Sequence, residues 1–433
     1  MKRALAAGLV VGTGLGVLAR RFWDRRTRYG PWGSLGLGLP GGVDGVGLAL
    51  TQTTATSLVD GNRVAWRDDA EVFDALEEAI GDARRSVHVD VYIWKPGGAG
   101  DRLADLACRK AREGVRMRIL VDPMGSTGFD EELRPRLSEA GCEVRYFRPL
   151  KKRPFSLTGR NHRKLVVVDG RVGFTGGFGI APEWSSGAPG SPVWRDSNAE
   201  IEGPVVQQMQ VAFANHWIET GGWMLPAVEL ERPRPAGEAR AAYVTSTDVI
   251  GLSHARWVTH IALAAAERRV WIANAYFVPP PAVLGTLCAR REMGIDVRLL
   301  LPGPYQDHRS VTFIQRRHYP RLEASGVTVY EYLPAMMHAK TMLVDDRLSL
   351  VGSMNLDFMS MEWLEEGALV VDDRAFARAF EERWQEDMSR SRQVTGLGAE
   401  DANGRLRPAE TSTSPRALVS STTSNQGGAP WPR

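Results

Sequence analysis

A chain of 433 residues, 43% of them apolar, is long enough for two ordinary domains or one duplicated one and can bury a sizeable core. The formal charge of +3 is close to balance, which excludes a histone-like or tail-driven binder of nucleic acid. Three cysteines, Cys108, Cys142 and Cys288, lie far apart without a Cys-x-x-Cys pair, so neither a disulfide framework nor a structural zinc site is indicated.

At the N-terminus, Met1-Lys2-Arg3 precedes an uncharged apolar run over residues 4–19, followed by Arg20, Arg21, Arg25, Arg26 and Arg28 with Trp23 among them. A spanning helix wants roughly 20 apolar residues, so segment 1–28 is short for one and reads as an uncleaved anchor or a signal segment, with cleavage after Ala19 as the alternative. The arginine cluster predicts that an anchored chain keeps its catalytic part on the cytoplasmic side of the cell membrane. Residues 29–65 are crowded with Gly, Ser and Thr and read as a linker, so folding is expected to begin near Trp66.

From there the chain repeats itself. Val72, Phe73, Leu76, Ala79, Ile80 and Ala83 recur at helical spacing and residues 86–94 (SVHVDVYIW) read as a strand; in the second half a helical stretch at 261–266 precedes a strand at 269–278 (RVWIANAYFV). Residues 113–121 match 293–301, and 137–144 match 322–329. Strands alternating with helices predict an α/β fold of two repeated halves, 66–235 and 236–392, each a mostly parallel sheet flanked by helices, with the active site where they face each other. Residues 393–433, rich in Ser, Thr, Gly and Pro, are expected to be a disordered tail.

Each half delivers one His-x-Lys-x4-Asp motif: His162, Lys164 and Asp169, then His338, Lys340 and Asp345. On a strand, residues two apart share a face, so His and Lys project into one cavity. A neutral imidazole can attack phosphorus while a protonated one opposite donates to the leaving oxygen, and the lysines would hold the nonbridging oxygens. After each motif comes a tight turn, Gly176-Gly177 and Gly352-Ser353-Met354-Asn355, which makes Gly177, Ser353 and Asn355 candidates for phosphate binding. Lysine is not a usual metal ligand and the carboxylates are badly spaced for two metals, so no metal or other cofactor is expected. Residues 148–164 carry Arg148, Lys151, Lys152, Arg153, Arg160, Arg163 and Lys164 with no acid, which suits an anionic substrate or surface. The other histidines, His88, His216, His254, His260, His308 and His318, read as core or surface residues.

The paired motifs resemble the phospholipase D superfamily with its duplicated HKD motif, over roughly residues 66–388. Within it, Asn161-His162-Arg163-Lys164, Trp194-Arg195-Asp196, Tyr276-Phe277-Val278-Pro279 and His338-Ala339-Lys340-Thr341 with Gly352-Ser353-Met354-Asn355-Leu356-Asp357 are similar to the bacterial cardiolipin synthases. The resemblance implies a downstream carboxylate that orients the catalytic histidine in each half, at Asp196 and Glu366, a more structural part for Asp169 and Asp345, and His162 as nucleophile with His338 as acid and base. It implies phosphatidyl transfer on a phospholipid, phosphatidylglycerol foremost, at a membrane surface; the alternative is a phospholipase D or nuclease in which water is the acceptor. Nucleic acid is not expected, because Phe147 and Phe155 are the only aromatic candidates for stacking near the basic run, and no protein partner is indicated. Gly179 stands where the family commonly carries Asn, Met359 where Arg is frequent, and one short apolar run where many cardiolipin synthases have two spans.

Overall fold

The computed structural model describes residues 38–149, 159–187, 190–230, 233–246 and 253–396. The apolar segment 1–28 and its orientation, most of the basic run beyond Pro149, and the tail from residue 397 lie outside the described residues. Among the described residues no helix is long and apolar enough to cross a membrane.

Ordered structure starts earlier than residue 66. Helix α1 (Val46–Thr54) buries Val46, Leu50 and Thr54, one residue per turn, and β1 (Val59–Asp68) follows it directly. The described part of the expected linker is therefore built into the fold. Its glycines hid an apolar stripe only one residue wide, and β1 buries only Asn62 and Asp68, with no alternation to betray it.

The first half continues with α2 (Glu71–Gly81), β2 (Ser86–Val91), α3 (Ala99–Arg112), β3 (Arg116–Val121), β4 (Glu143–Tyr146), β5 (Lys164–Val168), β6 (Val172–Gly176), β7 (Ser197–Glu202) and α4 (Val206–Glu219). The second half repeats the plan with β8 (Ala239–Ser246), α5 (His254–Ala265), β9 (Arg269–Asn274), α6 (Pro281–Glu292), β10 (Asp296–Pro302), α7 (Arg309–Arg317), β11 (Thr328–Tyr332), β12 (Lys340–Val344), β13 (Leu348–Gly352), α8 (Phe358–Glu362), β14 (Glu366–Asp372) and α9 (Arg374–Ser389), and ends in β15 (Ser391–Val394). α1 packs on α5, so this helix serves the second half although it precedes the first in the chain.

The fifteen strands among the described residues form one sheet, in the order β15-β11-β10-β9-β12-β13-β14-β8-β1-β7-β6-β5-β2-β3-β4. Outward from the central antiparallel pair β1 and β8, each half runs through the same seven positions. The halves are α/β and repeated as expected, but their sheets are mixed rather than mostly parallel. Only β2-β3-β4 and β9-β10-β11 are parallel, each joined by helical crossovers; hairpins and the return strands make the remaining pairs antiparallel. β5 and β12 are buried along their whole length, with helices over the sheet, which is why their apolar runs do not alternate. β15 pairs with β11, so chain order persists two residues into the expected tail.

The motif aspartates belong to this framework. Asp169 and Asp345 close the hairpins after β5 and β12 in the left-handed region, at φ 52° and 55°. The Asp169 carboxylate accepts the backbone N–H groups of Arg84, Arg85 and Ser86 at 2.8–2.9 Å, and Asp345 those of Glu267, Arg268 and Arg269 at 2.8–3.1 Å. Each locks the start of the neighbouring strand, β2 or β9. Grouping them with the catalytic residues is corrected: they sit at the far end of the motif strand and their acceptor sites are spent on backbone.

Candidate active site

His162 and His338 stand just ahead of β5 and β12, and Lys164 and Lys340 are the first residues of those strands. What brings the two motifs together is a pair of backbone bridges between the halves, Asn161 with Glu365 and Arg195 with Met337. His162 N–H donates to Glu365 O at 2.8 Å, and His338 N–H to Arg195 O at 2.7 Å. Each bridge sets a histidine beside the residue that follows its bridging partner. His162 Nδ1 lies 2.9 and 3.0 Å from the two oxygens of Glu366, and His338 Nδ1 lies 2.7 Å from Asp196 Oδ2. The candidate orienting carboxylates are thus exchanged: each half's histidine is held by an acid from the other half. Spacing within one half has no way to reveal this.

Both carboxylates are fully buried and themselves fixed. Asp196 accepts Trp184 Nε1–H at 2.7 Å and Ser197 N–H at 2.8 Å; Glu366 accepts the hydroxyl of Ser353. Ser353 N–H donates to Gly367 O, and Gly177 N–H to Ser197 O at 3.4 Å. A Cβ at Gly177 would stand 2.1 Å from Asp196 Oδ1, so glycine is required for that carboxylate to approach. The phosphate-turn candidates are corrected accordingly, because Gly177 and Ser353 serve the orienting acids and their donors are engaged. Asn355 is buried, with Oδ1 unpartnered among the described residues. The departure at Gly179 also has a cause. A Cβ there would meet the Trp184 ring at 2.8 Å, so the indole that serves Asp196 occupies the space of an asparagine side chain.

The two histidines open on one cavity of about 650 Å³, lined by Tyr92, Lys164, Trp184, Trp194, Tyr276, Asp357 and Met359 among others. Tyr92 sets its ring edge to His162 at 5.3 Å and Tyr276 to His338 at 5.9 Å; Trp184 and Trp194 flank His338 at 5.0 and 5.2 Å. Neither Tyr92 nor the two tryptophans stands out as a site residue in the sequence. The signal was a tyrosine closing each of the two matching strands, in YIW and YFV. His216 is a core residue as read, and a consequential one: it lies 2.9 Å from Asp90 and 3.5 Å from Glu365.

Burial dominates the electrostatics. It lowers Lys164 to about 7 and Lys340 to about 8, and raises Asp196 to about 6. His162 is lowered by burial against the pull of Glu366, and His338 falls well below its ordinary value through burial and then Lys340. Lys164 Nζ donates to His162 O at 2.7 Å, whereas Lys340 Nζ lies 2.9 Å from each ring nitrogen of His338. Burial therefore favours neutral imidazoles. With Nδ1 turned to a carboxylate, Nε2 of His162 is the nitrogen left for chemistry, while Nε2 of His338 lies beside the Lys340 ammonium, and an anionic phosphodiester that draws the lysines to itself would ease protonation of a ring by solvent.

Residues 76–217 and 260–388 match the family model described as cardiolipin synthase, PLD-like domain. The chain belongs to that family. It is thereby a phospholipase D-type phosphatidyltransferase of the cardiolipin synthase-like kind. It is 30% identical over 369 residues to cardiolipin synthase 1 of Bacillus anthracis, covering 81% of this chain and 69% of the relative, and 34% identical over 336 residues to cardiolipin synthase A of Pseudomonas putida, covering 76% and 69%. Its fold is shared with a crystal structure of phosphatidylserine synthase from Haemophilus influenzae, at TM-score 0.63 and 14% identity, over 81% of this chain and 92% of that one.

Proposed function

We propose that this phosphatidyltransferase forms cardiolipin from two molecules of phosphatidylglycerol through a phospho-histidine at His162, working at the cell membrane with its catalytic part on the cytoplasmic side. The observation that carries the reading is the pair of exchanged histidine–carboxylate bonds, which fix both rings by Nδ1 on one largely apolar cavity. Nε2 of His162 attacks phosphorus, and the bond from phosphorus to the glycerol headgroup oxygen breaks. That oxygen takes a proton from His338 and leaves as glycerol. A hydroxyl of the second phosphatidylglycerol then gives its proton to His338 and attacks, breaking the P–N bond and freeing His162. Glu366 balances the charge that builds on His162, Asp196 does so for His338, and the two lysines hold the nonbridging oxygens. No oxidant, reductant or further reactant is consumed.

Assigning the nucleophile to His162 follows the family resemblance. The full-length protein incubated with phosphatidylglycerol should yield cardiolipin and glycerol in equal amounts. Phosphatidic acid as the sole lipid product would replace the transferase by a hydrolase using the same histidines.

A further inference from the structure

The rim of the cavity carries a helix whose outer face is neither ordinary surface nor core. α7 turns Arg309, Phe313 and Arg317 outward at four-residue spacing, with Phe313 65% and Ile314 40% exposed. Arg317 stacks on the Phe313 ring at 5.7 Å, and Gln315 is the residue that secures the inner face, donating to Pro302 O at 3.1 Å. No acidic residue occurs between His308 and Tyr319. The helix is tied to the active site, since Asp307, His308 and Val311 line the cavity and Asp307 accepts the hydroxyl of Tyr276, the ring beside His338, at 2.8 Å.

We propose that α7 is the face by which the enzyme rests on an anionic phospholipid bilayer, with Phe313 and Ile314 entering the headgroup layer and Arg309 and Arg317 meeting lipid phosphates. An aromatic and an aliphatic side chain in water gain by leaving it, and arginines around them select a negatively charged surface over a neutral one. Met359, on the same rim and 40% exposed, extends the apolar edge from α7 to the cavity mouth. A docked α7 brings the mouth against the layer that holds the substrate, so a phosphodiester reaches the histidines while its acyl chains stay in apolar surroundings. The inference rests on the lipid-transfer reading for the presence of a bilayer, but docking is measurable without turnover.

The three native cysteines are buried, so a polarity-sensitive dye on a full-length Ser310→Cys variant reports on α7 alone. Vesicles of phosphatidylcholine with phosphatidylglycerol should shift its emission to the blue, and pure phosphatidylcholine should not. Arg309→Glu with Arg317→Glu should raise the vesicle concentration for half-maximal shift about thirtyfold or more, taking each arginine as worth about 1 kcal/mol at an anionic surface. Phe313→Ser with Ile314→Ser should abolish the shift and lower turnover of phosphatidylglycerol in vesicles at least tenfold, with monomeric short-chain phosphatidylglycerol turned over as before. No shift on either vesicle, an equal shift on both, or a shift that follows protein concentration without lipid, the mark of a second copy on this face, overturns the proposal. Absence of cardiolipin from every substrate, with the shift intact, overturns the transferase reading and leaves the docking face standing.

Discussion

The two seams between the halves do the same job with opposite charge. On the His162 side the bridging residue is Glu365, whose carboxylate is buried against Arg148, Arg163 and His216. On the His338 side it is Arg195, whose guanidinium is buried against Asp68, Asp69 and Asp387. Glu365 is held down to about 2, burial being more than offset by His216 and the arginines, and Arg195 is driven upward by its three aspartates against burial. Both then hand the chain to an orienting acid, Glu366 or Asp196. Duplication preserved the geometry, a backbone bridge next to a histidine–carboxylate bond, and left the chemistry that fastens each bridge free to diverge.

The comparison breaks first at the histidines. His162→Ala and His338→Ala should each lower transfer by at least about a thousandfold, and mass spectrometry of acid-sensitive adducts should find phosphatidyl on the peptide containing residue 162 in the wild type. An adduct at residue 338 would reverse the roles of the halves. The seams come next. Glu365→Gln and Arg195→Met each leave buried charges uncompensated and should cost about 3–5 kcal/mol in urea denaturation. Glu365 adds a signature in pH. A carboxylate whose folded value is depressed contributes in full above its unfolded value of 4.5, and that contribution drains away as pH falls toward about 2. The Glu365→Gln penalty should therefore shrink between pH 6 and pH 3.

Exchange of the orienting acids is tested by Glu366→Gln and Asp196→Asn, each expected to lower kcat by about 10–100-fold. Asp196→Asn should impair the steps that need His338, and Glu366→Gln should slow adduct formation on His162; the opposite assignment would mean that each acid serves its own half. Asp169→Ala and Asp345→Ala should cost about 1–3 kcal/mol of stability with kcat little changed, since each removes acceptors from buried backbone N–H groups. The gentlest effect is on the pH profile of kcat/KM. It should fall below about 6 as Asp196 takes up a proton, and above about 7–8 as Lys164 and then Lys340 lose theirs.

Identical spacing of His, Lys and Asp in matched places made the chemistry legible in the sequence, and helical and strand periodicities gave the repeat. Asp196 and Glu366 were found by resemblance, but their exchange depends on how two distant segments pair, which no local pattern encodes. The same holds for Gly177 and Ser353. A Gly-rich turn after a motif looks like an anion cradle, yet here the missing side chain makes room for Asp196 and the hydroxyl serves Glu366. β1 and α1 were lost among glycines because each buries too few residues to set up a period. The parallel expectation held for β2-β3-β4 and β9-β10-β11, where helices cross over, and failed inward of them, where hairpins and return strands set the direction.

Exchange of the two acids makes the halves interdependent in a way that sets how the enzyme can fail. A separated half would own a histidine and a lysine but not the acid that holds the ring at Nδ1. A small parting of the halves removes both acids together. A change that loosens either bridge, at Asp68 or at Arg148, should therefore impair both histidines together.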